Sequence, residues 1–349
     1  MERKQVKVGS VCMGDGRISV QSMLSTDTHD VQACLTQIGA LAKAGCQIAR
    51  LAVPDAAAVS AFGKIRERSP LPLVADIHFD YKLALGAVAA GADKIRINPG
   101  NIGSDAQVKA VADACRNAGI PIRVGVNSGS VEKNILAKYG HVCPQALCES
   151  ALYSASLLER FDFDDIVISV KSSRVPEMVQ CNRLLHQQCR YPLHVGVTEA
   201  GTLYNGLIKS AAGIGALLID GIGDTVRVSL TADPVEEVRA AYKLLRALGL
   251  SERGVQIVSC PTCGRTKVDL VSLAEQVEHR LADCELPITV AVMGCVVNGP
   301  GEAREADIGL AGGVDEYLLF RAGEVLRKVP ADRALDELML EIEKMQEQE

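Results

Sequence analysis

Apolar residues in the first two-thirds of the chain follow two alternating rhythms. Short runs with a period of two lie at 18–23, 47–53, 73–77, 94–98, 121–127, 165–171, 193–198 and 224–230, and read as β-strands. Between them run Ala/Leu-rich stretches with helical spacing, among them 31–44, 81–90, 106–118, 205–218 and 234–248. Several stop at a glycine (Gly45, Gly91, Gly119, Gly249), the residue that most readily takes the left-handed turn after a helix. Eight such strand–helix units predict an α/β fold, a closed (β/α)8 TIM barrel. A doubly wound open sheet is the alternative, since it requires no particular strand number.

The polar members of these strands carry the first chemical information. In 94–98, Ile95 and Ile97 alternate with Lys94, Arg96 and Asn98, and the same pattern recurs in 122–127 and 225–230. Period two sends the isoleucines and valines toward the helices and the polar set into the barrel. Barrel interiors are ordinarily filled by branched apolar side chains, and a buried guanidinium without a partner is costly. Several inward cations therefore imply an anionic ligand. Arg50, Arg96, Arg123 and Lys171 are expected late in their strands, at the end where barrel active sites lie. The forked donors of arginine suit phosphate oxygens. The alternative is that each pairs with an acid such as Asp76 or Glu199; for the set as a whole a phosphorylated substrate is the expectation. Asp76 and His78 after the third strand, and Glu199 after the seventh, are candidate acid/base groups. His141 and His194 read as surface or core residues. Gly213-Ile-Gly215 and Gly221-Ile-Gly223 read as helix packing and a turn rather than a dinucleotide fingerprint.

After a linker at 251–254 the rhythm changes. A strand at 255–259, a helix at 270–284, strands at 287–293, 307–311 and 317–321, and a helix at 331–348 predict a compact α+β unit. The expected domains are thus 1–250 and 251–349. Two loops of the second carry cysteines: Cys260-Pro-Thr-Cys263, and the Gly/Pro-rich Met293-Gly-Cys295-Val-Val-Asn-Gly-Pro-Gly-Glu302. Three readings stay open for them. A structural zinc ribbon would usually offer a second C-x-x-C. A redox dithiol leaves Cys295 unexplained. An iron–sulfur cluster with three thiolates and one non-cysteine ligand accounts for the set directly. The remaining nine cysteines read as small buried hydrophobes.

Composition adds exclusions. The 349 residues exceed one ordinary domain, and 48% hydrophobic with 23% charged residues is the balance of a globular protein. No run of about 18 apolar residues is present, so no transmembrane helix is expected. The start has no apolar core of a signal peptide, so the 12 cysteines are expected as reduced thiols in a cytoplasmic protein. A net charge of −6 argues against nucleic acid as a partner.

With both loops in hand, the chain resembles the 4-hydroxy-3-methylbut-2-enyl diphosphate synthases of the bacterial two-domain type. The resemblance runs nearly end to end. In the barrel it rests on Val20-Gln-Ser-Met23 with Thr26-Asp-Thr28, Ala75-Asp-Ile-His78, Lys94-Ile-Arg-Ile-Asn-Pro-Gly100, Arg123-Val-Gly-Val-Asn-Ser-Gly129, Ser169-Val-Lys-Ser172, Val197-Thr-Glu-Ala-Gly201 and Asp220-Gly-Ile-Gly-Asp-Thr225. In the second unit it rests on Cys260-Pro-Thr-Cys-Gly-Arg265 and the loop from Met293 to Glu302. There is no room for the extra domain of plant-type members. The resemblance implies a TIM barrel fused to a [4Fe–4S] domain in the non-mevalonate isoprenoid pathway. That family opens 2-C-methyl-D-erythritol 2,4-cyclodiphosphate reductively and expels water, with two electrons from flavodoxin or ferredoxin. By motif, Cys260, Cys263, Cys295 and Glu302 would ligate the cluster. Arg50, Arg96, Arg123 and Lys171 would clamp the diphosphate, with Asn98, Asn127 and Ser229 as hydrogen-bond donors. Glu199 would protonate the departing hydroxyl, assisted by Asp76 and His78. A homodimer is implied, the cluster domain of one subunit capping the barrel of the other.

Overall fold

A computed structural model describes residues 2–296 and 303–347. The chain divides into two compact units, Met1–Leu244 and Leu245–Glu349, and the division falls inside the helix Pro234–Ala247.

The first unit opens with a hairpin that the hydrophobic pattern did not announce, β1 (Val6–Val8) paired antiparallel with β2 (Val11–Met13). Three-residue strands are too short to show a period. The turn needs Gly9, whose φ is +55°. Val6, Val8 and Met13 pack against Ile48, Val74 and Val167, so the hairpin plugs one end of the barrel with apolar side chains.

Eight parallel strands follow: β3 (Ser19–Met23), β4 (Ile48–Ala52), β5 (Leu73–Asp76), β6 (Lys94–Ile97), β7 (Ile122–Asn127), β8 (Ile166–Lys171), β9 (His194–Val195) and β10 (Thr225–Val226). Their order is β8-β7-β6-β5-β4-β3-β10-β9. The ring is completed by a parallel bridge between Ile168 and Leu193, with Ile168 N donating to Pro192 O at 2.9 Å. The predicted barrel is therefore the observed one. β9 and β10 are shorter than the alternating runs suggested. Gly196 and Arg227 O approach so closely that a Cβ at 196 would lie 2.5 Å from that oxygen. Beyond this point the regular ladder ends: Leu230 N donates to the Glu237 side chain, and Thr231 N, out of register, to Gly201 O, each at 2.9 Å. The apolar alternation continues there without a ladder.

Helices return over the outside of the sheet, and several begin at acidic caps just past the strand ends. Asp30 accepts from Ala33 N at 2.9 Å, and Asp55 and Asp80 accept from Ala58 N and Lys82 N at 2.8 Å. Each such cap contributes about 1 kcal/mol.

The second unit is a five-stranded sheet: β11 (Gln256–Ser259), β12 (Thr289–Met293), β13 (Ile308–Gly312), β14 (Glu316–Arg321) and β15 (Glu324–Pro330). β11, β12 and β13 are parallel, while β14 and β15 run antiparallel to their neighbours. Alternation sorts the two faces. Val290, Val292, Leu310 and Leu319 pack with Leu273, Val277, Leu338 and Ile342 from the helices Leu270–Arg280 and Ala334–Gln346. Ala291, Met293, Ala311 and Phe320 form a second cluster with Ala303 and Ala306, and half-buried Cys260 joins it. β15 was not expected, because as an edge strand it is largely exposed and its residues are mostly polar.

Candidate active site

The interior of the barrel is charged where it would ordinarily be apolar. Arg50 on β4, Asp76 ending β5, Arg123 on β7 and Lys171 ending β8 are all less than 9% exposed, and Arg96 on β6 is half-buried. Asp76 organises two of the cations. Arg96 Nη1 donates to Asp76 Oδ1 at 3.1 Å, and Arg50 Nε lies 3.7 Å from Oδ2. Burial pushes the Asp76 carboxyl up, but Arg50, Arg96, Arg123 and His78 outweigh it and hold the group below the usual aspartate range. Arg50 also points Nε and Nη2 at Met23 Sδ, 3.1 and 2.7 Å away. For these two arginines, pairing with an acid and facing a ligand are thus not exclusive readings.

Arg123 departs from its expected place. It is the second of six residues in β7, level with Arg96, and so lies deep rather than late in its strand. Only 2% of it is exposed, and its Nε and Nη1 have no partner among the described residues. The next inward position is Gly125, where a Cβ would come within 2.8 Å of Arg96 Nε. The missing side chain is what lets Arg96 lie across β7. Gly196 serves Lys171 similarly, since a Cβ there would sit 3.1 Å from its ammonium. Burial, and then the charges of Arg227, Arg50 and Arg123, hold Lys171 well below the usual lysine range.

Arg227 belongs to this group although the expected set omitted it; its signal was the same period-two alternation past β10. Its Nη2 lies 3.4 Å from both carboxylate oxygens of buried Glu237, which also accepts from Ser22 Oγ and Leu230 N. Counting Lys94, deeper still, four arginines and two lysines face two carboxylates among the described residues. The interior is built to receive negative charge.

The other expected residues rim this cluster. Asn98 is buried, its Oδ1 taken by Gly100 N at 3.1 Å and its Nδ2 unpartnered among the described residues. Asn127 is exposed and stands level with Lys171, while Ser229 is half-buried two residues past Arg227. Glu199 is exposed and holds a left-handed backbone, φ +51°, a conformation that costs a non-glycine residue about 1–3 kcal/mol and gathers at functional sites. Among the described residues no hydrogen bond or ion pair ties Glu199 to the cations. His78 is exposed, yet near enough for its charge to act on Asp76.

In the second unit the two cysteine loops meet. Gly294 N donates to Cys260 Sγ at 3.2 Å, and Lys267 N donates to Gly294 O at 3.1 Å. Gly294 is required for that closeness, since a Cβ would stand 3.0 Å from the Thr266 side chain. Cys295 is buried, Cys260 half-buried and Cys263 exposed. The N–H of Arg265, then its guanidinium, hold the Cys263 thiol below its usual range, which favours the thiolate. A cubane takes each thiolate on a different iron, so the donor set fits a cluster. Glu302 lies outside the described residues. Of the nine other cysteines, Cys34, Cys46, Cys115, Cys148, Cys181 and Cys189 are buried, whereas Cys12, Cys143 and Cys284 are only half-buried.

Fold and site together define a barrel enzyme with a cationic interior toward its strand ends and a separate cysteine-bearing unit. Comparison with known proteins gives the family. The GcpE TIM-barrel domain matches residues 3–242 and the GcpE protein C-terminal domain residues 256–344. A 4-hydroxy-3-methylbut-2-en-1-yl diphosphate synthase (flavodoxin) of Geobacter sulfurreducens is 57% identical over 98% of this chain and 97% of its own length. One of the same description from Clostridium acetobutylicum is 56% identical over 99% of both. The chain belongs to the GcpE family. Two solved structures echo the barrel. A Yersinia pestis dihydropteroate synthase covers 70% of this chain at 12% identity and TM-score 0.51. A Thermotoga maritima phospho-2-dehydro-3-deoxyheptonate aldolase covers 71% at 13% identity and the same score. Family membership over both units sets aside the zinc-ribbon barrel and the pterin-synthase-like transferase. No helix among the described residues is long and apolar enough to cross a membrane.

Proposed function

We propose that this chain is a 4-hydroxy-3-methylbut-2-en-1-yl diphosphate synthase that opens 2-C-methyl-D-erythritol 2,4-cyclodiphosphate reductively. The observation that carries the reading is the excess of buried cations at the strand ends of a GcpE barrel. Arg50, Arg96, Arg123, Lys171 and Arg227 bind the two phosphates, and Asn98, Asn127 and Ser229 donate to their oxygens. Asp76 stays ionised and orients Arg50 and Arg96, rather than delivering protons. Glu199 protonates the hydroxyl that leaves as water, with His78 at the rim. The balanced change consumes two electrons and one proton, breaks the ring C–O bond to phosphate and releases one water. Cys260, Cys263, Cys295 and Glu302 would hold a [4Fe–4S] cluster, which supplies electrons one at a time when bound. Flavodoxin is the electron donor, with ferredoxin as the substitute. The protein works in the cytoplasm as a homodimer whose cluster unit closes over the partner's barrel, excluding water from the reaction.

Anaerobic purification should give brown protein with about four irons per chain. With reduced flavodoxin it should convert the cyclodiphosphate to the open-chain diphosphate. A colourless zinc protein, made with cluster assembly supported, would overturn the reading.

A further inference from the structure

Beneath the cationic mouth lies a polar layer that the proposed chemistry leaves unused. Lys94, the first residue of β6, is 0% exposed. Among the described residues its one hydrogen bond is long, 3.5 Å from Nζ to Gln21 Oε1. His194, opening β9, is also 0% exposed, and among the described residues neither ring nitrogen has a partner; Gln21 Nε2 and Thr225 Oγ1 are likewise buried and unpaired there. Below them the hairpin β1–β2 seals the barrel with apolar side chains. The charged and titratable groups on the surrounding strands are Arg50 of β4, Asp76 of β5, Arg96 on Lys94's own strand, Arg123 of β7, Lys171 of β8 and His194 of β9. Past β10 come Arg227 and its partner Glu237. Burial, then Arg123 and Arg50, hold the Lys94 ammonium well below the usual lysine range. Arginines keep their protons, so a lysine or histidine must relieve the crowding.

We propose that Lys94 is a proton acceptor coupled to the ligand site, a neutral amine when the mouth is open and an ammonium when the cyclic diphosphate binds above it. The inference rests on the mouth being a diphosphate site. Its lone pair takes the proton from a buffer acid, whose conjugate base stays in solution. Each phosphorus of the cyclic diester has one strongly acidic oxygen, so the ligand arrives as a dianion with no proton of its own to exchange near neutrality. Ring opening then creates a terminal phosphate with a further negative charge, which the ammonium offsets. Lys94 is a positioning residue here: it adjusts the charge of the clamp without touching the reacting atoms.

The sign follows from linkage. The ligand raises the Lys94 pKa above its depressed free value. Affinity is greatest below the free value, falls by up to about tenfold per pH unit between the two values, and is flat above the bound value.

The test is titration calorimetry of the anaerobic, cluster-bearing full chain with the cyclodiphosphate and no reductant. It is run at about pH 8 in buffers of different ionisation enthalpy. Wild type should take up as much as about one proton per ligand bound. Lys94→Met should lose that uptake because it has no amine, and Lys94→Arg because its cation never deprotonates. His194→Gln should keep it. Binding with no buffer dependence in wild type, or full uptake in either Lys94 variant, overturns the proposal and leaves the diphosphate site standing. Absence of any binding sinks the diphosphate site itself, and Lys94 with it.

Discussion

Asp76→Asn isolates the carboxylate that braces Arg50 and Arg96 of the clamp. Asp76 faces Arg96 at 3.1 Å and Arg50 at 3.7 Å, and its side chain is 4% exposed. At an effective dielectric of about 20, these separations correspond to roughly 5 and 4.5 kcal/mol of attraction. Removing the charge also relieves the burial cost of the carboxylate, several kcal/mol, so the net loss should be about 3–5 kcal/mol. For a unit of this size that lowers the unfolding midpoint by roughly 6–20 °C. The pH dependence has a definite sign. The folded pKa of Asp76 is lowered, so its stabilisation is fully present above the unfolded carboxylate pKa and is lost as pH falls through the folded value. Thermal unfolding of wild type and variant should therefore diverge at neutral pH and converge in acid. Adding the cyclodiphosphate should narrow the neutral gap, because the ligand replaces the missing negative charge. A variant within about 1 kcal/mol of wild type at neutral pH, or a gap indifferent to pH, would refute the bracing role.

Other substitutions separate binding from chemistry. Gly125→Ala places a Cβ 2.8 Å from Arg96 Nε, so the guanidinium must shift; KM should rise about tenfold, roughly 1.4 kcal/mol, with kcat little changed. Unaltered steady-state kinetics would show that Arg96 is no part of the clamp. Glu199→Gln should lower kcat by about 10²–10⁴-fold with substrate binding retained; because Glu199 is exposed, the melting midpoint should hardly move. Equal loss of binding and turnover would point instead to a binding role. Cys295→Ser should lower iron content from about four per chain and bleach the cluster absorbance. Persistent turnover in that variant would contradict ligation.

The barrel was legible because its signal is periodic and repeated. Each inward polar residue, from Arg50 to Ser229, stood at an alternate position among apolar neighbours, and both cysteine motifs sat in loops after strands. What the pattern could not convey was depth. Arg123 looked like a rim residue because alternation gives the face of a strand and not its height in the barrel; only the register with Arg96 fixes that. Arg227 stood on the same footing as the residues chosen, yet its role depends on Glu237, ten residues on in the next helix, which no strand pattern shows. The hairpin β1–β2 and the edge strand β15 were lost for opposite reasons, the first too short to show a period and the second too exposed to be apolar. Gly125 and Gly196 read as ordinary strand glycines until the side chains lying over them were seen.

Burying four arginines and two lysines against two carboxylates makes the ligand-free barrel less stable than an apolar interior would be. The same excess makes the site selective. A neutral sugar cannot offset the repulsion among Arg50, Arg123, Lys171 and Arg227, while an inorganic monophosphate brings less charge than a diphosphate and spans less of the mouth. Selectivity by total charge alone would hold the product, which carries one negative charge more than the substrate, more tightly than the substrate itself. A barrel made only of arginines could not adjust to that difference, because their charge is fixed. A buried lysine can, since it gains or loses its proton as the charge above it changes. Lys94, as proposed, does so from the closed layer below the mouth.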